Sequence, residues 1–315
     1  MLTLSILCGL FATTGIAEAP PPGIGPGLFA QTGLDARATA LGGSMVAAAE
    51  GPAAPYYNPS TLANADHLSV GGMHSSPYGP DFGVTYQYVS VQGPLGSQTA
   101  SSRGIGIGLT WMSSGVSDIP LWDDQGLIGT ASSQASVYMA SIGVPILPTL
   151  SVGLSIRYYS ATLLEGRGTG FGLDVAACGA FDLGTARLTV ALNSQDTAGS
   201  VVKWTSLSGE TRNIIPWVNK LGVALLLDQP SIVLTTDLDW SPGRPVTETV
   251  IHAGVEYEPL PFLQLRAGLR KPVDSEVRLT AGFGMALGDL LSLSYAFSTG
   301  PAFADTHLIV IGIDL

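Results

Sequence analysis

The chain has 315 residues, only 12% of them charged, and a formal net charge of −11 at pH 7. Soluble proteins carry about 25% charged residues, so an ordinary soluble domain is disfavoured. The acidic balance and the absence of Lys- and Arg-rich runs disfavour nucleic-acid binding. Beyond the N-terminus no stretch offers about 20 consecutive apolar residues, which disfavours a helical membrane protein.

The N-terminal region divides into two predicted segments. Residues 1–19 have the features of a secretory signal peptide, because an apolar run precedes an A-x-A cleavage site at Ala17-Glu18-Ala19. Residues 20–65 begin with a Pro- and Gly-rich lead-in and continue into an Ala-rich stretch at 36–50. That stretch predicts a short helix, which Gly51 and Pro52 end.

From residue 66 to residue 315 the sequence alternates between apolar and small or polar residues, as in Leu150-Ser151-Val152-Gly153-Leu154-Ser155. This period of two places one set of side chains on each face of a strand. Many such segments of about ten residues are typical of a transmembrane antiparallel β-barrel. A large soluble β-sandwich or propeller is the alternative. Turn residues separate about fourteen predicted strands, at 66–75, 81–91, 103–113, 134–144, 149–160, 169–181, 186–194, 217–227, 231–240, 248–257, 262–270, 276–286, 290–298 and 305–315.

The connections and the aromatic residues support a barrel. The two longest connections, 114–133 and 195–216, fall on one side, and most opposite connections are tight, apart from 92–102. Outer-membrane barrels have long external loops and short periplasmic turns. Aromatic residues are expected in two girdles, with Trp111, Trp217, Trp240, Tyr158 and Phe297 at the extracellular end and Tyr86, Tyr88 and Tyr257 at the periplasmic end.

The face opposite the apolar one becomes the lumen, and it carries a predicted charge network: Arg157, Asp237, Asp239, His252, Glu256, Arg266, Arg270, Glu276 and Arg278. These charges either pair across strands to hold a wide barrel or select ligands by polarity. Outside the predicted membrane band, Trp122 and Trp204 form a candidate external binding surface. The alternative is that both indoles pack the loops onto the barrel rim.

Sequence signatures of catalysis are missing. The four histidines are scattered, so no metal site is predicted. Cys178 has no partner in the predicted mature chain, and there is no G-x-S-x-G elbow. We therefore predict no cofactor and no enzymatic activity. Glycines at 104, 106 and 108 lie within a predicted strand, where they make room for a plug.

Residues 36–63 resemble the N-terminal segment of PorV/PorQ-type proteins, which belong to the FadL-like group of outer-membrane barrels. The resemblance rests on an Ala-Arg start, the Gly42-Gly43 turn, the Ala-rich helix and the stretch Tyr56-Tyr57-Asn58-Pro59. The chain departs from the pattern at Gly51, where an acidic residue is usual, at Tyr57, where Trp is usual, and at Ser60-Thr61, where Ala-Gly is usual. Its C-terminal strand, 307–315, resembles a signal for the barrel assembly machinery, although it ends in Leu.

The resemblance implies a 14-stranded barrel in the outer-membrane lipid, with an N-terminal helical hatch in its lumen. Barrel physics agrees, because fourteen strands leave an interior that must be filled, and residues 28–65 are the segment available to fill it. PorV-like relatives work with secretion-machine proteins, which implies a role in secretion or surface delivery of proteins. The alternative is FadL-like transport of a hydrophobic ligand across the outer membrane.

Overall fold

The structure of the chain is a computed structural model that describes residues 35–76, 83–96, 103–124, 126–163, 166–206, 209–300 and 305–315. The predicted signal peptide and the residues that follow it, up to residue 34, lie outside the described residues. Among the described residues, no helix is long and apolar enough to cross a membrane.

Sixteen strands follow a short helical segment. They are β1 (Ser69–Ser75), β2 (Val84–Pro94), β3 (Gly106–Asp123), β4 (Gly126–Leu147), β5 (Leu150–Leu163), β6 (Gly166–Asp182), β7 (Ala186–Gln195), β8 (Ser200–Ser206), β9 (Gly209–Ile215), β10 (Val218–Leu227), β11 (Ile232–Trp240), β12 (Val250–Leu260), β13 (Leu263–Pro272), β14 (Arg278–Leu287), β15 (Leu291–Ser298) and β16 (Thr306–Asp314).

Fourteen of these strands close into one antiparallel barrel. Strands β1 to β7 pair in chain order, β7 pairs with β10, and β10 to β16 continue the order until β16 pairs with β1. The predicted transmembrane-type antiparallel barrel of fourteen strands is confirmed. Each of its strands overlaps one of the fourteen that the alternation predicts, with different ends.

Two segments predicted as loops are strands instead. Residues 114–133 extend β3 and β4 well past their neighbours, and residues 195–216 contain the hairpin β8–β9, which pairs with the first part of β6. Beyond the level of Trp111 on β3 and Phe171 on β6, both extensions carry mostly polar residues on their outer side, because they lie outside the hydrocarbon core that selects apolar ones. The alternation of hydrophobicity is therefore weak there, although the backbone still forms a ladder.

The two ends of the barrel differ. One end, here called the turn rim, has short connections such as 148–149 and 288–290, whereas the other, the hairpin rim, carries the β3–β4 extension and the hairpin β8–β9. Because barrels of this type keep short turns at the periplasm, the turn rim faces the periplasm and the hairpin rim faces outward.

The outer face of the wall is apolar and the inner face is not. Along β5, Leu154 and Ile156 are 48% and 58% exposed, whereas Ser155 and Arg157 are 0% and 1% exposed. A row of aromatic residues crosses four neighbouring strands near the hairpin rim, formed in register by Trp111, Tyr138, Tyr158 and Phe171. The row contains Trp111 and Tyr158 of the predicted outer girdle, with Tyr138 and Phe171 in addition.

The expected girdle position of Tyr88 is wrong. Its side chain is only 2% exposed and faces the lumen, and Tyr86 also packs against the buried lumen cluster. Val89 is 49% exposed and so sets the outward phase of β2. Tyr257, by contrast, is 42% exposed on the outer face.

The outward position of Leu154 leads to a stability prediction. Leu154→Arg should lower the free energy of unfolding by roughly 2–4 kcal/mol if the residue lies near the membrane midplane, because a guanidinium replaces an apolar group in lipid. The matched control is Gln134→Arg on the neighbouring strand β4, in the extension beyond the aromatic row. There the cost should be about 0–1 kcal/mol. Denaturant titration in lipid bilayers measures both, and equal losses would contradict the assigned membrane band.

Candidate functional site: the lumen and its hatch

Residues 35–65, called the hatch, lie inside the barrel. They form α1 (Ala36–Ala40), α2 (Ala54–Tyr57) and two 3₁₀ turns, Gly51–Ala53 and Pro59–Asn64. The helix α1 contacts β13 to β16, and the last 3₁₀ turn contacts β2 to β6 on the opposite wall. The described part of the hatch therefore bridges the lumen from wall to wall.

Glycines in the wall let the hatch backbone approach closely. A Cβ atom at Gly268 would collide with the backbone of Leu41 and Gly42, and one at Gly153 would collide with Ser60. Nine wall glycines would clash in this way with hatch atoms: Gly71, Gly106, Gly108, Gly143, Gly153, Gly222, Gly254, Gly268 and Gly282. The abundance of glycine on the inner face is thus explained by close packing of the wall on the hatch.

Polar side chains of the wall form hydrogen bonds with backbone amides and carbonyls of the hatch. One carboxylate oxygen of Asp237 accepts hydrogen bonds from the amides of Met45 and Val46 at 2.6 and 2.8 Å. His252 Nδ1 donates to the Gly42 carbonyl at 2.6 Å, and Thr280 donates to the Ala40 carbonyl at 2.8 Å. Buried backbone groups need such partners, so these contacts hold the plug in one position.

Two amide side chains of β7, which is separated from β11 by β10 alone, hold the end of α2. Asn193 donates to the Tyr57 carbonyl at 2.8 Å, and Gln195 donates to the Tyr56 carbonyl at 3.1 Å. The hatch is therefore tied to β7 as well as to β11, β12 and β14.

The residues of the sequence motif have structural positions in the hatch. Gly42 and Gly43 adopt φ values of 71° and 94°, which L side chains rarely adopt. Asn58 Nδ2 donates to the Val46 carbonyl at 2.8 Å, and Asn58 Oδ1 accepts from the Ser60 amide at 3.1 Å, so Asn58 joins the two halves of the hatch. Tyr56 and Tyr57 are buried with their rings edge to face at 4.8 Å.

A charge network joins the hatch to β12 and β13. Arg37 donates to both oxygens of Glu256, at 2.8 and 2.9 Å, and Arg266 donates to the same carboxylate at 2.6 Å. Arg37 also contacts Glu50 at 2.9 Å. Burial opposes the charge on Arg37, but Glu50 and Glu256 raise the pKa of its guanidinium above the usual value, so it stays protonated. A cavity of about 200 Å³ lies beside these residues.

A second charge cluster lies on β10 to β12. Lys220 donates to Asp239 at 2.7 Å, and His252 Nε2 lies 3.3 Å from the same carboxylate. The structure thus pairs the predicted residues Asp239, His252, Glu256 and Arg266 with charges or polar groups. Sequence reasoning missed Arg37 and Lys220, although Arg37 begins the Ala-Arg motif.

Arg157 belongs to a separate, fully buried network. Its guanidinium contacts Asp174 at 2.6 Å and lies 3.9 Å from Asp196. Asp196 accepts bonds from Tyr159 at 2.8 Å and from Ser200 at 2.6 Å. Asp196 begins the turn between β7 and β8, at a positive φ of 48°, so this network fixes the turn where the hairpin leaves the barrel.

Three residues of the predicted lumen charge network form no ion pair with another described residue. Glu276 is exposed in the turn between β13 and β14, so its predicted place in the lumen is wrong; the strand begins at Arg278, two residues later than predicted. Arg270 and Arg278 are directly opposite in register, and neither has a hydrogen bond or ion pair to another described residue.

An apolar cluster fills the lumen between the hatch and the hairpin β8–β9. Met112, Val137 and Tyr159, from β3, β4 and β5, are each 0% exposed, and Val202 of the hairpin is buried with them. The cluster draws on β1 to β5, β8, β9, β15, β16 and the hatch. Most charged groups of the lumen gather on β10 to β13, and the Arg157 network on β5 and β6 is separate from them.

The two tryptophans of the candidate external binding surface, Trp122 and Trp204, lie on the two extensions of the hairpin rim. Trp204 is half-buried: its ring packs over Gly168, and its Nε1 has no hydrogen-bond partner among the described residues. The backbone of Trp122 pairs with Leu127 near the tip of the β3–β4 extension, and its side chain lies outside the described residues. Their role as a binding surface stays a prediction.

Among the described residues, no group of three or more His, Cys, Asp or Glu side chains could hold a metal ion.

Comparisons with solved structures identify the fold. The toluene transporter TodX of Pseudomonas putida superposes with a TM-score of 0.58 at 15% identity, covering 90% of this chain and 98% of that chain. The CymD monoaromatic hydrocarbon channel has a TM-score of 0.57 at 14% identity, covering 90% and 96%. A FadL homologue of Pseudomonas aeruginosa has a TM-score of 0.56 at 11% identity, covering 89% and 96%. No protein-family model and no curated sequence matches the chain.

These similarities show a FadL-like barrel fold. Together with the apolar outer face, they place the protein in an outer membrane, as the sequence predicts. The resemblance is confirmed at the level of the FadL-like fold and not at the level of the PorV/PorQ type.

The close contact between wall and hatch leads to a prediction about conductance. Gly268→Ala should displace the hatch, because its Cβ would overlap the Leu41 backbone, and should raise ion conductance in planar bilayers several-fold. The control, Gly72→Ala, faces outward, where the nearest atom to a new Cβ lies at an ordinary 3.5 Å, and should conduct like the unmodified protein. If the unmodified protein already conducts like an open porin, the hatch does not act as a plug.

Proposed function

We propose that this protein lets small apolar molecules cross the outer membrane through the barrel lumen, with the hatch as a plug that must shift during passage. The observation that carries this proposal is the apolar cluster between the hairpin rim and the hatch. It offers an apolar molecule a continuous set of apolar neighbours along one side of the lumen.

Methionine is prominent in that cluster. Met45, Met73, Met112 and Met139 are 1%, 6%, 0% and 3% exposed, and all belong to it. Methionine is unbranched, flexible and polarizable, so it adapts its shape to a neighbour. Such a core can repack around a small guest at a lower cost than a core of branched side chains.

The fold supports the same proposal. The similar structures include proteins described as monoaromatic hydrocarbon channels and as a toluene transporter. At 14–15% identity they support the choice of a probe for this chain and do not identify its substrate. An aromatic hydrocarbon is therefore the first molecule to test.

Uptake of radiolabelled toluene by cells that lack their own hydrocarbon channel tests this proposal. Cells producing the protein should take up toluene several-fold faster than cells with an empty vector. Met112→Gln with Met139→Gln should slow uptake, because two amides enter an apolar route, and Met112→Leu with Met139→Leu should preserve it. Heat-modifiable mobility on a gel checks that each barrel is folded. Equal uptake with and without the unmodified protein would refute transport, whatever the variants do.

A second candidate is the PorV/PorQ-type role in secretion or surface delivery of proteins. The motif from Gly42 to Pro59 supports it, as do the projecting β3–β4 extension and hairpin β8–β9 with Trp122 and Trp204. Removing both indoles by Trp122→Ala and Trp204→Ala separates the two candidates in the same strains. Reduced recovery of secretion-machine proteins in pull-downs, with toluene uptake unchanged, favours secretion. Reduced uptake with an unchanged pull-down favours transport.

A further inference from the structure

Three basic residues meet on the outer surface of the wall at the hairpin rim. Lys203 on β8 lies directly opposite Arg212 on β9, and Arg167 on β6 is paired with Thr205, which makes it a diagonal neighbour of Lys203. All three side chains are exposed and face outward. We call them the basic patch. The whole chain has only 13 Lys and Arg, so three in one place is a marked concentration.

The basic patch lacks partners, unlike most other basic residues of the chain. Among the described residues, no hydrogen bond or ion pair is made by Arg167, Lys203 or Arg212. Glu210, opposite Thr205 on β9, is the acidic residue on the same face. Like charges directly opposite in a ladder are destabilising. Eight other basic residues donate to carboxylates, carbonyls or side chains: Arg37, Arg103, Arg157, Arg187, Lys220, Arg244, Arg266 and Lys271.

The position of the basic patch relative to the membrane is defined by the next residues along the same strands. Beyond Thr169 on β6, Lys203 on β8 and Arg212 on β9, the next outward residue toward the turn rim is apolar on each strand. These residues are Phe171, Val201 and Ile214, and they are 69%, 40% and 39% exposed. Phe171 belongs to the aromatic row. Two residues of strand span about 7 Å, so Lys203 and Arg212 lie immediately outside the apolar band, at the level of lipid headgroups. Arg167 lies one outward position further from the band, from where its long side chain extends.

We propose that the basic patch binds the phosphate groups of a lipid in the outer leaflet. Guanidinium groups pair with phosphate oxygens in a fork geometry, and an ammonium group adds a third point charge. Clustered basic residues beside a membrane anchor are a general mode of recognising anionic lipid.

Native mass spectrometry of the full chain in neutral detergent tests the proposal. The probes are a bisphosphorylated lipid A and the same lipid with both phosphates removed. The unmodified protein should bind the phosphorylated lipid at least tenfold more tightly. A variant with Arg167→Gln, Lys203→Gln and Arg212→Gln should lose that preference. The control, Arg187→Gln with Arg244→Gln, removes two exposed arginines elsewhere and should keep it.

Several results would overturn the proposal. One is equal binding of the two lipids by the unmodified protein; another is an unchanged preference in the triple variant. Binding of inorganic phosphate alone as tightly as the lipid would mean that the site takes the free ion. If the triple variant does not fold, as judged by heat-modifiable mobility, Lys203→Gln alone should lower the preference, and no change there would count against the patch.

Discussion

The packing of the hatch against the barrel wall is the contact on which the rest of the structure depends. A barrel of fourteen strands encloses more space than its own side chains fill, so another segment must occupy the lumen. A segment with short helices and 3₁₀ turns leaves many backbone groups unpaired, and these need partners once water is excluded. The wall meets both needs. Its glycines leave room where the backbones touch, and its side chains Asp237, Asn193 and Gln195 form hydrogen bonds with the amides and carbonyls of the hatch.

The same packing explains why the charges lie where they do. A buried charge is costly unless it is paired and hydrogen-bonded, so the carboxylate of Glu256 holds two guanidinium groups, one from the hatch and one from the wall. The Arg157 network fixes the turn between β7 and the hairpin. The paired charges of the lumen thus join the hatch to the wall or strands to one another, and the proposed function places an apolar guest in the apolar cluster.

More of the fold than of the candidate site could be predicted from the sequence. Alternation at positions such as 150–157 sets each strand and its facing, because lipid selects apolar residues on one side only. Register and long-range pairing leave no such pattern: Arg37 and Glu256 are 219 residues apart. Extensions such as β8–β9 escape detection because they project mostly beyond the hydrocarbon core of the membrane, which alone selects apolar residues. Tyr88 is expected on the wrong face because aromatic residues suit either a lumen or a membrane surface.

Hydrogen exchange of the hatch amides in membrane-embedded protein tests the central claim most directly. If the wall holds the hatch, the amides of Met45 and Val46, both bonded to Asp237, should exchange about as slowly as amides in the middle of β11 and β12. In the Asp237→Asn variant, where a neutral amide oxygen is a weaker acceptor, the same two amides should exchange faster while the strand amides stay unchanged. Fast exchange of these two amides in the unmodified protein, at the rate of an open loop, would contradict the account.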